Sequence, residues 1–440
     1  MKHVDQIGIA GKSLENFRKI SALSKPTPLR HNDRNRTSYR GTMRIVISGA
    51  SGFVGQMLVP KLSQSGVALV LLGRDAAQLS RLFPDCTTAT YADLPYVAEG
   101  ADLFVNLAVR NNNQSDNVAD MTRVNADFAA ELATASRLAG VTRFVNVSSI
   151  HALDSHDARP YAASKRAGIT LVDAATDGRA THLYLPSVVG EQFSGALAPL
   201  NILPPPLAHA LLGPLSALKP VLRIDEIADW IMEKALTAPK HVILTNGQKN
   251  NIFYAVTSRT LDLGAAIGGL VCLSPLLLMT WFLIRKQGDG PAIFAQARIG
   301  RHGRIFTCYK FRTMVVGTVQ AGTHEVSGSA VTPLGMRLRR WKIDELPQLW
   351  NVLKGEMSLI GPRPCLPSQE ELVHRRTEGG VLDVRPGISG LAQVAGIDMS
   401  DPARLVEWDR RYIAIRGLIL DLKLILQTAR GGGRGDRVAS

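Results

Sequence analysis

From Leu263 to Ile284 this chain carries no charged residue, and that run constrains everything placed around it. At about 1.5 Å of rise per residue, a straight helix of this length would just cross an apolar layer about 30 Å thick. Three features argue instead for a broken helix that enters and returns. Gly264, Gly268, Gly269 and above all the central pair Ser274–Pro275 weaken a helix, because proline lacks the N–H and clashes with the carbonyl four residues back. Both flanks are basic, Arg259 on one side and Arg285–Lys286 on the other, which favours keeping both ends on the same side. Stretches rich in chemistry also lie on both sides of the run, and a single crossing would part them. A plain transmembrane helix and a buried soluble helix are the simpler alternatives. The expected element is a re-entrant helix over 262–285, broken at Ser274 and Pro275, in contact with membrane lipid.

The length allows two or more domains. A net charge of +14 and a pI near 9.8 call for an anionic partner, whether nucleic acid, lipid or nucleotide-sugar. There is no zinc-finger spacing and no aromatic-basic RNA-binding motif, so nucleic acid is not expected. Cys86, Cys272, Cys308 and Cys365 form no CxxC pair, which argues for a reducing compartment and against disulfides or zinc. Residues 1–42 are basic and polar without an apolar core, and are expected to form a disordered leader.

Arg44–Ser48 is a short apolar run of the buried-strand kind. It feeds Gly49-Ala-Ser-Gly-Phe-Val-Gly55 and then a helical pattern to Gln64. A glycine-rich turn between strand and helix brings backbone N–H groups and the helix dipole to a pyrophosphate. A tight structural turn is the plainer alternative. The second strand, Val67–Leu72, ends on Gly73-Arg74-Asp75. An acid at that strand end would bind a ribose 2′-hydroxyl, whereas arginine accommodates a 2′-phosphate. Arg74 therefore points to NADP(H), while Asp75 keeps NAD possible. Strands at Leu103–Leu107 and Phe144–Val147, with helical Val118–Ala139 between them, imply a parallel sheet covered by helices.

Ser148–Ser149 is then followed by Tyr161-Ala-Ala-Ser-Lys165. Tyrosine and lysine four apart share a helix face, where the ammonium can lower the phenol's pKa and the serine hydroxyl can orient it. His151 reads as a local hydrogen-bonding residue rather than a base.

Taken together, residues 43–245 resemble the extended short-chain dehydrogenase/reductase family of nucleotide-sugar epimerases, dehydratases and reductases. The resemblance implies Ser149, Tyr161 and Lys165 as catalytic residues. It implies a cofactor site of Gly49, Ser51, Gly52, Phe53, Val54, Gly55, Arg74, Asp93, Leu94 and Ala108, completed by Tyr161 and Lys165, with Asp93 and Leu94 near the adenine. The segment after Gly190 is short for this family, so Ala196–Leu222 must supply whatever substrate lid exists. Dehydration is disfavoured, since Ile150-His151 stands where dehydratases carry an acid pair.

Beyond the apolar run, Gly290–Arg298 and Gly300–Gly303 read as a hairpin leading into Lys310-Phe-Arg-Thr313. Lys310 and Arg312 are candidate phosphate contacts or plain solvated cations, and 317–330 reads as a loop. Lys342-Ile-Asp-Glu-Leu-Pro-Gln-Leu-Trp350 lies between Arg337-Leu-Arg-Arg340 and Gly355–Pro364. Adjacent carboxylates among cations and glycines suit a phosphate and its metal, for a carboxylate can attack phosphorus and its neighbour can hold Mg2+. Acids at a helix start are the bland alternative. Leu405–Leu426 mixes apolar and charged residues at helical spacing, suited to a membrane surface.

With Phe306–Met314 and Val384-Arg-Pro-Gly-Ile-Ser-Gly-Leu-Ala-Gln-Val394, residues 259–428 closely resemble the monotopic phosphoglycosyl transferases, bacterial sugar transferases that start glycan assembly on a polyprenol carrier. The resemblance implies Asp344 as nucleophile, Glu345 as its partner at Mg2+, and phosphate-binding roles for Arg339 and Arg363. Lys342 and Ile343 depart from the usual small hydroxyl residue and leucine.

The expected fold class is α/β. A Rossmann-type parallel-sheet domain (43–247) and a linker (248–258) precede a small α/β transferase domain with the re-entrant helix (259–430) and a flexible tail (431–440). The implied function is NADPH-dependent reduction of a UDP-4-keto-6-deoxy-N-acetylhexosamine. Sugar-phosphate transfer from UDP-sugar to undecaprenyl phosphate follows, at the cytoplasmic face of the inner membrane. A UDP-sugar 4-epimerase or a nucleotide-binding regulatory domain are the alternatives for the first half. A homodimer is left open.

Overall fold

A computed structural model of the chain describes residues 42–111, 117–318 and 330–431. The expected leader (save residue 42), most of the 317–330 loop and the tail beyond 431 lie outside the described residues. By its internal contacts the chain divides into two units. The first runs to Pro204 and resumes over Val221–Thr245; the second takes Pro205–Pro220 and everything from Asn246 on.

In the first unit, strands β1 (Arg44–Ser48), β2 (Ala68–Gly73), β3 (Thr87–Thr90), β4 (Leu103–Asn106), β5 (Arg143–Ser149) and β6 (Thr181–Leu185) form one sheet with His241–Ile243. Their spatial order is β3-β2-β1-β4-β5-β6 followed by His241–Ile243, and every pairing is parallel. This is the doubly wound order of dinucleotide-binding folds. The strands are apolar without alternation because helices cover both faces. Ile45, Ile47, Leu71 and Val105 belong to one core layer, and Val46, Leu72 and Phe104 to the other. Helix α1 (Phe53–Gln64) follows β1 and buries Leu58, Val59 and Leu62.

One row of side chains crosses this sheet on polar atoms alone. Ser48 Oγ donates to Asn106 Oδ1 (2.7 Å), Asn106 Nδ2 to Asn146 Oδ1 (3.1 Å), and Asn146 Nδ2 faces His182 Nδ1 (3.4 Å). His182 Nε2 meets Asp173 Oδ1 at 3.0 Å. These residues stand opposite one another in the strand register. A one-residue slip would strand them all, so the row fixes the register that places the glycine turn beside β4. Asn106→Ala leaves Ser48 Oγ and Asn146 Oδ1 without their partners, and chemical denaturation should show a loss of about 3 kcal/mol. A loss below 1 kcal/mol would remove the row from the account.

The second unit begins with helix α3 (Pro205–Leu218), then α4 (Ile252–Cys272) and α5 (Ser274–Lys286). Helix α4 starts well before the charge-free run because Asn251 caps it, its side chain accepting from Tyr254 N. Among the described residues no single helix is long and apolar enough to cross a membrane, but α4 and α5 pass that test together and bend by 62°. The bend lies at Leu273, with Pro275 in the first turn of α5. Pro275 cannot donate to the Val271 carbonyl, and the Ser274 hydroxyl takes it instead at 2.7 Å. Inward, Arg259 donates to the carbonyls of Val352 and Leu353 at the end of the helix Gln348–Lys354, and Asp262 accepts from Ser358 Oγ and Leu359 N.

The stretch expected to serve as a substrate lid, 196–222, is divided by the structure. Its central part, 205–220, packs in the second unit as α3; only 196–204 and Val221–Leu222 stay with the first. Leucine and proline content alone could not say which core that helix joins.

Candidate functional site

Each unit holds one cluster of chemistry. In the first, Gly49 has φ +75°, and a Cβ there would lie 2.6 Å from Ala108 N. Only glycine permits that approach of β1's end to the backbone beyond β4. Gly52 N donates to Gly49 O, and a Cβ on Gly55 would strike Ala50 O at 2.4 Å. Ser51 and Gly52 are exposed, Phe53 and Val54 begin α1, and Leu94 is core. This backbone cradle fits a dinucleotide pyrophosphate at a helix N-terminus.

Around it, Arg74 is exposed, and the Asp75 carboxylate is engaged in capping its own helix by accepting from Gln78 N. Asp93 behaves similarly, accepting from Thr90 N and Thr90 Oγ1. Tyr91, which the sequence reading passed over, reaches the turn: burial pushes its phenol up, offset in part by the Gly49 backbone and the Arg74 guanidinium. A tyrosine two residues before an aspartate gives no local signal of that reach.

Ser149 ends β5, and Tyr161 and Lys165 lie one turn apart in the first half of the helix Pro160–Ala175 (α2). Ser149 hydrogen-bonds the Tyr161 phenol, which burial pushes up. Lys165 Nζ donates to Val147 O at 3.1 Å, and full burial pushes its pKa down to about 8. His151 Nδ1 faces Arg159 Nη2 at 3.0 Å, and its backbone N–H donates to Ser149 Oγ. That is the local hydrogen-bonding role expected of it.

The second cluster lies wholly within the second unit. Strands β7 (Ile293–Ile299) and β8 (Ile305–Phe311) form the expected antiparallel hairpin. Helix α6 (Pro333–Arg340) leads to Lys342 in the left-handed region at φ +54°, and a single 3-10 turn, Ile343–Glu345, follows. That turn buries Asp344 and sets Glu345 beside it. Lys310 Nζ and Arg363 Nη2 reach Glu345 Oε1 at 3.2 and 3.1 Å. Arg339 Nε donates to Thr313 Oγ1, while its Nη1 is buried with no partner. Arg312 turns to backbone carbonyls of Asp289 and Ile284 instead. Burial raises the Asp344 pKa to about 6, the Glu345 charge adds to it, and Lys310, Arg339 and Arg363 oppose both.

These groups line a cavity of about 1070 Å³, together with Ser389, Gln393 and Thr428. Two of its lining residues are closely packed glycines: a Cβ on Gly361 would strike Arg385 O at 2.5 Å, and one on Gly390 would strike Gly361 O at 2.2 Å. The loop bearing Arg363 is held by two buried arginines that sequence reading missed. Arg298 Nη1 donates to Pro364 O, and Arg376 Nη1 donates to Arg363 O. Neither carries a local signal, because each acts through a carbonyl far away in sequence.

An orphaned guanidinium nitrogen beside two carboxylates fits an anionic ligand that arrives with a divalent cation. Mg2+ is commonly held by one or two carboxylates plus substrate phosphates, and Asp344 and Glu345 match that donor set. No group of three or more His, Cys, Asp or Glu suited to a metal occurs among the described residues.

Residues 45–241 match the family model described as NAD dependent epimerase/dehydratase family, and residues 253–433 match that described as Bacterial sugar transferase. The uncharacterized sugar transferase EpsL of Bacillus subtilis (strain 168) is 40% identical over 179 residues, covering 40% of this chain and 86% of that one. A UDP-N-acetylgalactosamine-undecaprenyl-phosphate N-acetylgalactosaminephosphotransferase of Aeromonas hydrophila is 36% identical over 218 residues, covering 48% of this chain and 52% of its own. An undecaprenyl-phosphate galactose phosphotransferase of Salmonella typhimurium is 34% identical over 189 residues, with 39% of each chain covered. The chain thus spans about half the length, or less, of these two named phosphotransferases.

Proposed function

Because this chain belongs to the bacterial sugar transferase family and carries an NAD dependent epimerase/dehydratase domain ahead of the transferase part, we propose that it modifies a UDP-linked sugar and then loads the sugar phosphate onto undecaprenyl phosphate. The observation that carries the transferase half is the cavity in which Asp344 and Glu345 stand among Lys310, Arg363 and the orphaned Arg339 Nη1. An Asp344 oxygen attacks the sugar-bearing phosphorus, the bond from that phosphorus to the bridging oxygen breaks, and UMP leaves with the electron pair. An oxygen of undecaprenyl phosphate then attacks the aspartyl phosphate, returning the carboxylate and giving a polyprenyl diphosphosugar. Arg339 and Arg363 hold phosphate oxygens. Asp344 and Glu345 would hold Mg2+, which when bound offsets diphosphate charge.

The helix pair α4–α5 would sit in the cytoplasmic leaflet of the inner membrane as a re-entrant element, bringing the cavity to the lipid acceptor. Its uncharged length, the 62° bend and the basic flanks support this. Purified protein, donor and no lipid should release UMP in a burst and leave the sugar phosphate on Asp344, seen by mass spectrometry of the digest. An adduct on another side chain, or none, defeats the reading.

The pH dependence follows from Asp344. Its attacking form is the carboxylate, and in the free enzyme it predominates only above about pH 6. Below that, kcat/KM for UMP release should fall about tenfold per pH unit. An acid limb placed near the ordinary aspartate value of 3.8 would contradict the burial seen at this turn.

In the first unit the cofactor would be NADP(H), which Arg74 would hold by its 2′-phosphate and which when bound would supply a hydride. Tyr161 donates the proton to the sugar oxygen, Ser149 orients the phenol, and Lys165 places a buried cation behind it. Reduction of a UDP-4-keto-6-deoxy-N-acetylhexosamine is the favoured reaction, with 4-epimerisation the alternative. The transfer of 205–220 to the second unit also favours a nucleotide-binding domain without turnover. Absorbance loss on mixing with NADPH and the keto sugar, abolished in Tyr161→Phe, separates reduction from both. Bound cofactor without consumption would leave the epimerase and the binding domain, which conversion of a UDP-sugar to its 4-epimer then separates.

A further inference from the structure

Helix α3 is built inside out for a protein in water. No Asp, Glu, Lys or Arg occurs from Gln192 to Leu218. The residues α3 buries are Ala208 and Ala217, whereas Leu207 is 49% exposed, Leu211 39% and Leu218 40%. Pro205, Pro206 and Ala210 are exposed as well. A surface helix of a soluble domain puts its large apolar residues inward and its charges outward. Here the fully buried residues are small, Leu212 and Leu215 are half-buried, and three leucines face out, an arrangement helices take when their outer surroundings are hydrocarbon.

Its placement is specified by polar anchors. Asn251 Nδ2 donates to Ser216 Oγ at 3.0 Å, and Gln248 Nε2 to Ser216 O. A Cβ on Gly213 would meet the Phe253 ring of α4 at 3.1 Å, and one on Gly417 would meet Leu218 O at 2.7 Å. The exposed leucines therefore adjoin further exposed apolar side chains: Ile252 (68%), Phe253 and Val256 at the start of α4, and Ile419 and Leu422 of the helix Leu418–Ala429. Lys219 and Lys249, both exposed, flank the junction where the end of α3 meets the start of α4. Cations at the rim of an apolar patch match an anionic lipid surface.

We propose that α3 is a lipid-contacting interfacial helix, an extension of the α4–α5 membrane seat supplied by the first half of the sequence. The inference rests on the re-entrant reading of α4–α5 given above. It assigns residues 205–218 to a bilayer surface rather than to a sugar-nucleotide lid.

The test uses the full chain in nanodiscs of phosphatidylethanolamine and phosphatidylglycerol. In a Cys86→Ser, Cys272→Ser background, with Cys308 and Cys365 buried, single Leu207→Cys and Leu211→Cys variants carry an environment-sensitive fluorophore. Native Cys272, beside the α4–α5 break and retained in a Cys86→Ser chain, is the lipid control, and Lys234→Cys on the first unit, in the doubly substituted background, is the water control. Doxyl-labelled lipid should quench positions 207 and 211 nearly as strongly as 272 and several-fold more than 234, with iodide showing the reverse order. Quenching at 272 but iodide access at 207 and 211 overturns the α3 proposal alone. Protection of 207 and 211 from both quenchers overturns it in favour of a second copy or another protein. No lipid quenching at 272 defeats the insertion reading, and α3 falls with it.

Discussion

Asp344→Asn abolishes release of UMP from UDP-sugar and, at the same time, stabilises the fold. The first effect follows from chemistry: an amide cannot attack phosphorus to form the acyl phosphate, and a loss of at least about 10³-fold is expected when a nucleophile is removed. The second follows from the site's electrostatics. Burial and Glu345 hold the Asp344 pKa near 6, above its ordinary 3.8. A carboxyl group whose pKa is raised on folding is easier to fold protonated than ionised. Between pH 3.8 and 6 the native state therefore binds the extra proton, and wild-type stability falls as pH rises through that window. Above it the ionised aspartate costs up to about 3 kcal/mol. The asparagine variant escapes that cost, so its advantage in urea denaturation should be absent near pH 4, grow to about pH 6 and stay level beyond. Unchanged stability with lost activity would mean that neighbouring cations already neutralise the aspartate. Retained UMP release would move the nucleophile elsewhere.

Much of this was legible because it is local. β1, the glycine turn and α1 are contiguous, and the positive φ at Gly49 is imposed by backbone only a sheet neighbour away. The hairpin of β7 and β8 and the bend at Ser274–Pro275 likewise depend on residues within a few positions. The Asp344–Glu345 pair was visible as a pair, but the raised Asp344 pKa was not, since it depends first on burial by the folded chain and then on Lys310, Arg339 and Arg363 arriving from three other elements to oppose it. The fate of 205–220 was hidden for the same reason. Its leucines and prolines suit a lid or a membrane surface, and the deciding contacts come from Gln248, Asn251 and Gly417. Asp93, expected near an adenine, is also bonded through one carboxylate oxygen to its own turn at Thr90.

Arg376→Met should strongly destabilise the second unit and should silence the transferase although Arg376 itself does not line the cavity. Arg376 is 1% exposed, and its Nε and Nη2 donate to Asp409 Oδ2 at 3.0 and 2.7 Å. Its third nitrogen donates to the Arg363 carbonyl. Removing the cation leaves a carboxylate buried without a partner, which costs about 3–5 kcal/mol. Burial already pushes Asp409 up, and Arg376 is what opposes it; without the arginine the acid takes up a proton more readily, so the loss should be smaller at pH 5 than at pH 8. Adding Asp409→Leu removes the stranded charge, and paired apolar replacements of buried ion pairs commonly recover stability. UMP release should not recover with it, because the Arg363 loop still lacks the donor that fixes its carbonyl, and a guanidinium free to wander loses its hold on a phosphate. KM for the UDP-sugar is therefore expected to stay raised in the stable double variant. Full recovery of both would reduce Arg376 to a fold element with no part in placing Arg363.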